Sequence, residues 1–346
     1  MSDLDSRLEL FKRRPTEEIV NEDLLIAKLE SGKTLKHYIG FEVSGLIHLG
    51  TISTLLKVRD LKSAGVNVNI FIADYHSWIN RKFGGDLDLI RKVSSEYFRP
   101  FLEIMGIEAN YILASELYDN DYWRLVLQIG NSSTVNRVKR TLTIMGREES
   151  DSNPVSFFIY PLMQAADIFK LEVDIAHAGM DQRKVHMLAV DVAEKINREK
   201  PVCLHTHLIP ALDYDGRMDI VDAKMSKSKG NSAIFIHDSE EEIRRKINGA
   251  YCPPRVLENN VVYEILKWII IRTDTEEFTI PRDMKYGGDI TLTMPEFERL
   301  YIEGKIHPMD LKRFVSDSLI RMLEPARKLT EQKMDLVNFV KLSRTR

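Results

Sequence analysis

Apolar residues recur along this chain with two periods, and the alternation between them outlines a fold. Short apolar runs bounded by turn residues lie at 35–43, 66–73, 110–114, 173–178 and 202–209. Helical patterns lie between them; Leu55, Leu56, Val58 and Leu61 share one face. Apolar strands alternating with helices predict an α/β fold: a Rossmann-like parallel sheet covered on both faces. Residues 1–33 read as helical, with a start at Asn21-Glu22-Asp23 and a stop at Gly32. Residues 117–150 interrupt the alternation with helical turns and a basic cluster, Arg137, Lys139, Arg140 and Arg147, so an insertion is expected there. Its apolar positions Trp123, Leu125, Val126 and Ile129 suit a core or an oligomer interface.

From about residue 234 the pattern becomes mainly helical. Helices are expected at 261–271, 294–302 and from about 309 to 342, the last broken near Pro325; 278–293 reads as a hairpin or loop. The resulting division is a catalytic domain over 1–233 and a helical domain over 234–346. A chain of 346 residues accommodates both.

Composition narrows the chemistry. The formal charge of −3 leaves no global footprint for a polyanion, so any such site is a local basic patch. Two cysteines, Cys203 and Cys252, make neither a disulfide framework nor a zinc site, and no metal site is expected. The polar, acidic start and the lack of a membrane-length apolar run give a cytoplasmic expectation with no membrane partner. No Gly-x-Gly-x-x-Gly follows a strand, which argues against a dehydrogenase.

Two segments carry phosphate chemistry. The loop over 222–230 (Asp-Ala-Lys-Met-Ser-Lys-Ser-Lys-Gly) holds three lysines, two serines and a glycine with no apolar periodicity. Lysines supply mobile charge, and hydroxyl and backbone N–H groups supply neutral donors. A lysine-rich loop by itself is most often solvated surface. The second segment, Ser44-Gly45-Leu46-Ile47-His48-Leu49-Gly50-Thr51, sits at a strand-to-helix turn. Glycines there let backbone approach a ligand, and the helix N-terminus favours anions. Farther on, Tyr160, Gln164 and Asp167 fall on one face of a helix, a polar stripe that suits either a polar-tipped pocket or a solvated surface.

His48-Leu49-Gly50 and Lys224-Met225-Ser226-Lys227-Ser228 together resemble the two ATP motifs of class I aminoacyl-tRNA synthetases. Thr51 stands where the first motif usually has a second histidine, and Val43 where proline is usual. Nearly the whole chain is similar to the archaeal–eukaryotic tyrosyl-tRNA synthetases, through Tyr38-Ile39-Gly40-Phe41-Glu42, the run from Ile159 to Asp167, Gly179-Met180-Asp181-Gln182-Arg183-Lys184 and His307-Pro308-Met309-Asp310.

The resemblance implies a tyrosine–tRNA ligase. Tyr38 and Asp167 would bond a substrate phenol; Tyr160, Gln164 and Gln182 would hold its α-amino group. Glu42, Asp174 and His76 are further candidates. ATP as substrate, accompanied by Mg²⁺, would meet Gly45, His48, Gly50 and Thr51, under Lys224, Met225, Ser226 and Lys227. For tRNA(Tyr), Arg140, Arg183 and Lys184 are expected at the acceptor end, and Tyr286, His307 and Asp310 at the anticodon. A helix cap is the plain alternative for Asp310. The resemblance also implies a homodimer through 117–150. Competing readings are a tryptophanyl-tRNA synthetase, which should lack the Tyr38–Asp167 pair, a synthetase-derived RNA-binding protein without catalysis, and a small-molecule nucleotidyltransferase.

Overall fold

The computed structural model describes residues 3–145, 154–214 and 232–343. The lysine loop at 222–230 and Arg147 lie outside the described residues. At the centre is a six-stranded sheet: β1 (Thr16–Val20), β2 (His37–Phe41), β3 (Asn69–Ile72), β4 (Asn110–Leu113), β5 (Ile175–Gly179) and β6 (Val202–Thr206). Its order is β1-β6-β5-β2-β3-β4. The pairs among β2 to β6 are all parallel, and β1 closes one edge antiparallel to β6. The chain builds outward from β2 through β3 to β4, then returns to lay β5 on the other side of β2. The β2–β5 junction is therefore the point where strand order reverses, and ligands in such sheets bind off the carboxyl ends of the strands there.

Alternate residues of the strands enter different cores. Ile39, Ile70, Ile72, Ile175 and Leu204 pack with Ile52, Leu55 and Val58 of the helix Leu49–Ser63. Tyr38, Phe71 and Ala176 pack with Met163, Ala166 and Ile168 of the helix Ser156–Lys170. The period of two thus puts one helix on each face.

The first strand corrects the helical reading of 1–33. Helices Asp3–Lys12 and Glu22–Glu30 are present, but β1 runs between them. Its sequence Thr-Glu-Glu-Ile-Val carries too little apolar surface to signal a strand. Side-chain bonds from β6 and beyond it hold the strand in place: Glu18 accepts from Arg183 and sits 2.8 Å from His205 Nδ1. The expected helix from about 309 to 342 is three helices, Pro308–Met322, Glu324–Gln332 and Met334–Leu342, with Pro325 in the first turn of the second. There the missing N–H costs nothing. Residues 278–293 form a hairpin of β7 (Phe278–Ile280) with β8 (Ile290–Leu292). None of the described helices is long and apolar enough to cross a membrane.

Two buried clusters fasten the helical C-terminal part to the sheet. Arg272 donates to the Arg14 carbonyl at 2.6 Å and pairs with Asp60, which also pairs with the buried Lys57 at 3.0 Å. Lys57 in turn donates to the Leu10 and Arg13 carbonyls at 2.7 and 2.6 Å, and burial lowers its pKa to about 7. In the second cluster His207, just past β6, stacks on Trp268 with ring centroids 4.1 Å apart. Its Nδ1 lies 2.8 Å from Glu17 and its Nε2 2.8 Å from Glu264, the latter an ion pair rather than an aligned hydrogen bond. Burial opposes charge on this ring, but the two carboxylates outweigh it and raise the pKa from 6.5 to about 9.

A raised histidine pKa contributes stability that is complete below about pH 6.5 and is lost as pH climbs through about 9. The pH dependence of thermal melting is therefore expected to show a loss of about 2–3 kcal/mol across that window. His207→Gln should flatten the same curve. A wild-type melting temperature that stays level from pH 6.5 to 9.5 would rule out the charged latch.

Candidate active site at the strand reversal

The helix Ser156–Lys170 runs beside the β2–β5 junction and carries Tyr160, Gln164 and Asp167 along one stripe. Asp167 lies at the floor, 1% exposed, next to Tyr38 of β2, 2% exposed. Two tyrosines that sequence reading missed hold it: the Tyr118 and Tyr122 hydroxyls donate to Asp167 Oδ1 at 3.2 and 3.0 Å. The other carboxylate oxygen, Oδ2, is buried without a hydrogen bond, and the nearest base, His76 Nε2, stands 3.6 Å away. The Tyr38 hydroxyl has no hydrogen-bond partner among the described residues. A Cβ on Gly40 would fall 2.9 Å from that hydroxyl oxygen, so the glycine makes room for it.

This floor is electrostatically expensive. Burial raises the Asp167 pKa well above 3.8, against the pull of the Tyr122 and Tyr118 bonds. Burial, then the Asp167 charge, likewise raises the Tyr38 pKa. Burial lowers His76 to about 4, keeping it neutral. An unpaired acceptor beside an unpaired hydroxyl is a site for one group that donates and accepts a hydrogen bond, which a phenol does.

About 10 Å of helix rise separates Asp167 from Tyr160, near the mouth. There Glu42 accepts from Tyr160 at 2.6 Å and from Asn80 at 3.0 Å, with Lys82 at 3.4 Å. Gln164 donates to Gln182 Oε1 at 3.2 Å, and Gln182 donates to the Ile144 carbonyl at 3.0 Å. That leaves Gln164 Oε1 buried without a partner. The acceptors here are a carboxylate shared by Tyr160, Asn80 and Lys82 and an unpaired amide oxygen, which suits a cation such as an ammonium.

Beyond the mouth lies the turn after β2. Gly45 takes φ 124, a conformation that favours glycine. His48 is the N-cap of the helix Leu49–Ser63, its Nδ1 accepting from Gly50 N–H at 3.1 Å. With Nδ1 acting as acceptor, the neutral ring carries its proton on Nε2, a donor. A Cβ on Gly50 would come within 3.0 Å of the His48 ring, so the glycine is what lets the histidine cap. Thr51 lies in the first helical turn. The segment just past the lysine loop is pinned to this turn: Leu49 N–H donates to the Ile234 carbonyl at 2.9 Å and Ile236 N–H to Ile47 at 3.1 Å. Lys224, Met225, Ser226 and Lys227 lie outside the described residues.

Other expectations fall away from the pocket. Arg183 is bonded to Glu18 of β1 through three hydrogen bonds of 2.8–3.0 Å, with its side chain 43% exposed. Asp174 precedes β5 at the opposite end of the sheet, bonded to Lys28 at 2.7 Å, and does not reach the site. Lys184 is exposed and donates to Thr143 at 3.1 Å; Arg140 is exposed past the helix Val135–Lys139. Tyr286 is exposed in the β7–β8 hairpin, with Lys285 over its ring at 4.8 Å. His307, not Asp310, caps the helix Pro308–Met322, accepting from Met309 N–H at 3.1 Å; Asp310 sits in the first turn.

The family model for class I tRNA synthetases (W and Y) matches residues 30–324. The chain belongs to this synthetase family. The tyrosine–tRNA ligase of Thermococcus kodakarensis is 43% identical across 99% of this chain and all of its own length. Tyrosine–tRNA ligase 1 of Pyrobaculum aerophilum is 46% identical across 93% of this chain and 94% of its own. The crystal structure of the Pyrococcus horikoshii tyrosyl-tRNA synthetase complexed with L-tyrosine superposes with a TM-score of 0.91, at 42% identity, covering 99% of this chain and 100% of that one. A tryptophanyl-tRNA synthetase from Aeropyrum pernix, 20% identical with a TM-score of 0.71, shares the fold.

In this synthetase the buried Asp167 carboxyl should cost stability. A carboxyl whose pKa is raised on folding destabilises the fold progressively as pH rises above 3.8 toward its folded value. Asp167→Asn keeps an acceptor for Tyr118 and Tyr122 and turns an N–H toward His76 Nε2. It is expected to stabilise the ligand-free protein by about 1 kcal/mol at pH 8. Scanning calorimetry checks this, and a lowered melting temperature would contradict it.

Proposed function

We propose that the tyrosine–tRNA ligase activity of this chain is carried by the Asp167–Tyr38 floor, the Glu42–Gln164 mouth and the His48 turn. The observation behind the assignment is the unpaired pair at the floor. A phenol donating to Asp167 Oδ2 and accepting from Tyr38 satisfies both groups, whereas a phenyl ring leaves both unpaired in a buried site. Tyr160, Gln164 and Gln182, with Glu42, then hold the α-ammonium. The substrate carboxylate is directed toward the turn that starts the helix Leu49–Ser63.

ATP is the second substrate and arrives as its Mg²⁺ complex. The tyrosine carboxylate attacks the α-phosphate, a C–O–P bond forms as the bond to pyrophosphate breaks, and tyrosyl-adenylate stays bound. The nucleophile is already ionised, so the protein positions reactants and stabilises phosphate charge. His48 Nε2–H and the helix N-terminus serve the phosphate; Gly45 and Gly50 allow close approach, and Thr51 adds a hydroxyl. Lys224, Met225, Ser226 and Lys227 cover the leaving pyrophosphate. Transfer to the terminal ribose of tRNA(Tyr) completes the reaction.

For the tRNA, Arg140, Arg183 and Lys184 are assigned to the acceptor end, and Tyr286, His307 and Asp310 to the anticodon side of a C-terminal domain over 234–346. An exposed aromatic suits stacking on a splayed base. Trp123 and Leu127, exposed four residues apart on the helix Asn120–Asn131, suit the seam of a homodimer. The cytoplasm is the expected compartment.

Amino-acid-dependent ATP–pyrophosphate exchange tests the assignment. Tyrosine should support exchange, and tryptophan and phenylalanine should not. Tyr38→Phe and Asp167→Asn should each raise KM for tyrosine about tenfold or more. Equal exchange with phenylalanine in the wild type would refute the floor assignment. Separately, Lys227→Ala is expected to slow adenylate formation by about a hundredfold in single-turnover mixing with tyrosine and ATP. A rate near wild type would remove that lysine from the mechanism.

A further inference from the structure

The turn that carries His48 is fixed by a side chain from a remote helix. Residues Leu87–Val93 and Arg99–Ile104 are α-helical, but Ser94–Phe98 between them is wound as a π-turn. Such turns are uncommon and re-aim side chains, often at functional sites. Here the turn aims Tyr97, fully buried, inward against Phe101, with ring centroids 4.9 Å apart. Its hydroxyl oxygen accepts from Ile47 N–H at 2.9 Å. Burial raises the Tyr97 pKa, so it acts as a neutral phenol. Ile47 immediately precedes His48. Its carbonyl is taken by Ile236 N–H at 3.1 Å, and on the other side of the loop Val43 N–H donates to Ser77 Oγ at 3.0 Å. Ser77 in turn donates to the Ala73 carbonyl at 2.8 Å. The Tyr97 hydroxyl is the side-chain acceptor for the backbone N–H of the residue that precedes the histidine, and Ile47 itself is buried.

We propose that Tyr97 is a positioning residue for adenylate formation: by holding Ile47 N–H it fixes the backbone on which His48 and the helix N-terminus meet the α-phosphate. The inference rests on the reading that the His48 turn holds ATP phosphate. The π-turn is itself held from the C-terminal part, where Lys333 Nζ donates to the Glu96 carbonyl at 3.3 Å. Without the hydroxyl, Ile47 N–H is left buried and unpaired, and the turn relaxes toward another partner. A displacement well under 1 Å at such a turn is enough to misalign a reacting phosphate.

Tyr97→Phe keeps the ring and removes the oxygen. In the full-length enzyme it should lower the rate of tyrosine-dependent exchange about tenfold. KM for tyrosine should stay at the wild-type value. Phe101→Leu, which loosens the packing around Tyr97 without touching Ile47, is the control for a merely structural role. It should lower the melting temperature and leave the exchange rate within about twofold. In a double-mutant cycle Tyr97→Phe should add no further loss to His48→Ala, because both act through one turn. A Tyr97→Phe rate within twofold of wild type, an equal rate loss in Phe101→Leu, or full additivity with His48→Ala would each overturn the proposal. If His48→Ala alone leaves exchange unchanged, the phosphate reading of the turn fails first, and the Tyr97 role with it.

Discussion

The parallel contact between β2 and β5 constrains everything at this site. Strand order reverses there, so the loops leaving the two strands diverge and open a crevice. One wall is the turn from Glu42 to His48; the other is the Gly179–Gln182 segment with the helix Ser156–Lys170 beside it. Tyr38 and Ala176 are cross-strand partners on the crevice face. The small alanine lets the helix approach, and the tyrosine meets Asp167. In the proposed assignment, substrate specificity and phosphate chemistry therefore sit within a few residues of one strand, Tyr38 inside β2 and His48 just past it. The sheet sets the two halves side by side, and the bonds from Tyr97, Ser77 and Ile236 hold the turn in place.

The parts of this arrangement that could be read from sequence were those whose meaning is local. Tyr160, Gln164 and Asp167 declare a polar helix face by spacing alone, and the glycines around His48 declare a turn. The lysine loop declares itself by composition. The parts that could not be read depend on chain crossings. Tyr118 and Tyr122 sit in a segment that reads as an insertion, suited to a core or an interface, and they matter because the helix Asn120–Asn131 packs against the one that carries Asp167. Tyr97 reaches Ile47 across 50 positions. Arg183 read as a free cation because its carboxylate partner is 165 positions away in β1, a strand too polar to be recognised. Local pattern gives the surface chemistry of each element, and only the packed structure says which charges are already spent.

The cost of the site is paid where the sequence pattern breaks its own rules. An aspartate in a core position, an unpaired nitrogen on the neutral, buried His76, and a glycine on β2 all lower stability relative to an apolar filling. The offsetting terms lie elsewhere: the apolar cores on both sheet faces, and the His207 cluster that binds the C-terminal part to the sheet. The helix Leu49–Ser63 connects the two kinds of region. Its first residue follows His48, and its last turn carries Asp60, which pairs with Arg272. A helix fixed at its far end by the Asp60–Arg272 pair presents an N-terminus that, in the proposed role, does not need to reorganise when phosphate charge appears. Preorganisation of that kind lowers a barrier because the reorganisation has been completed during folding.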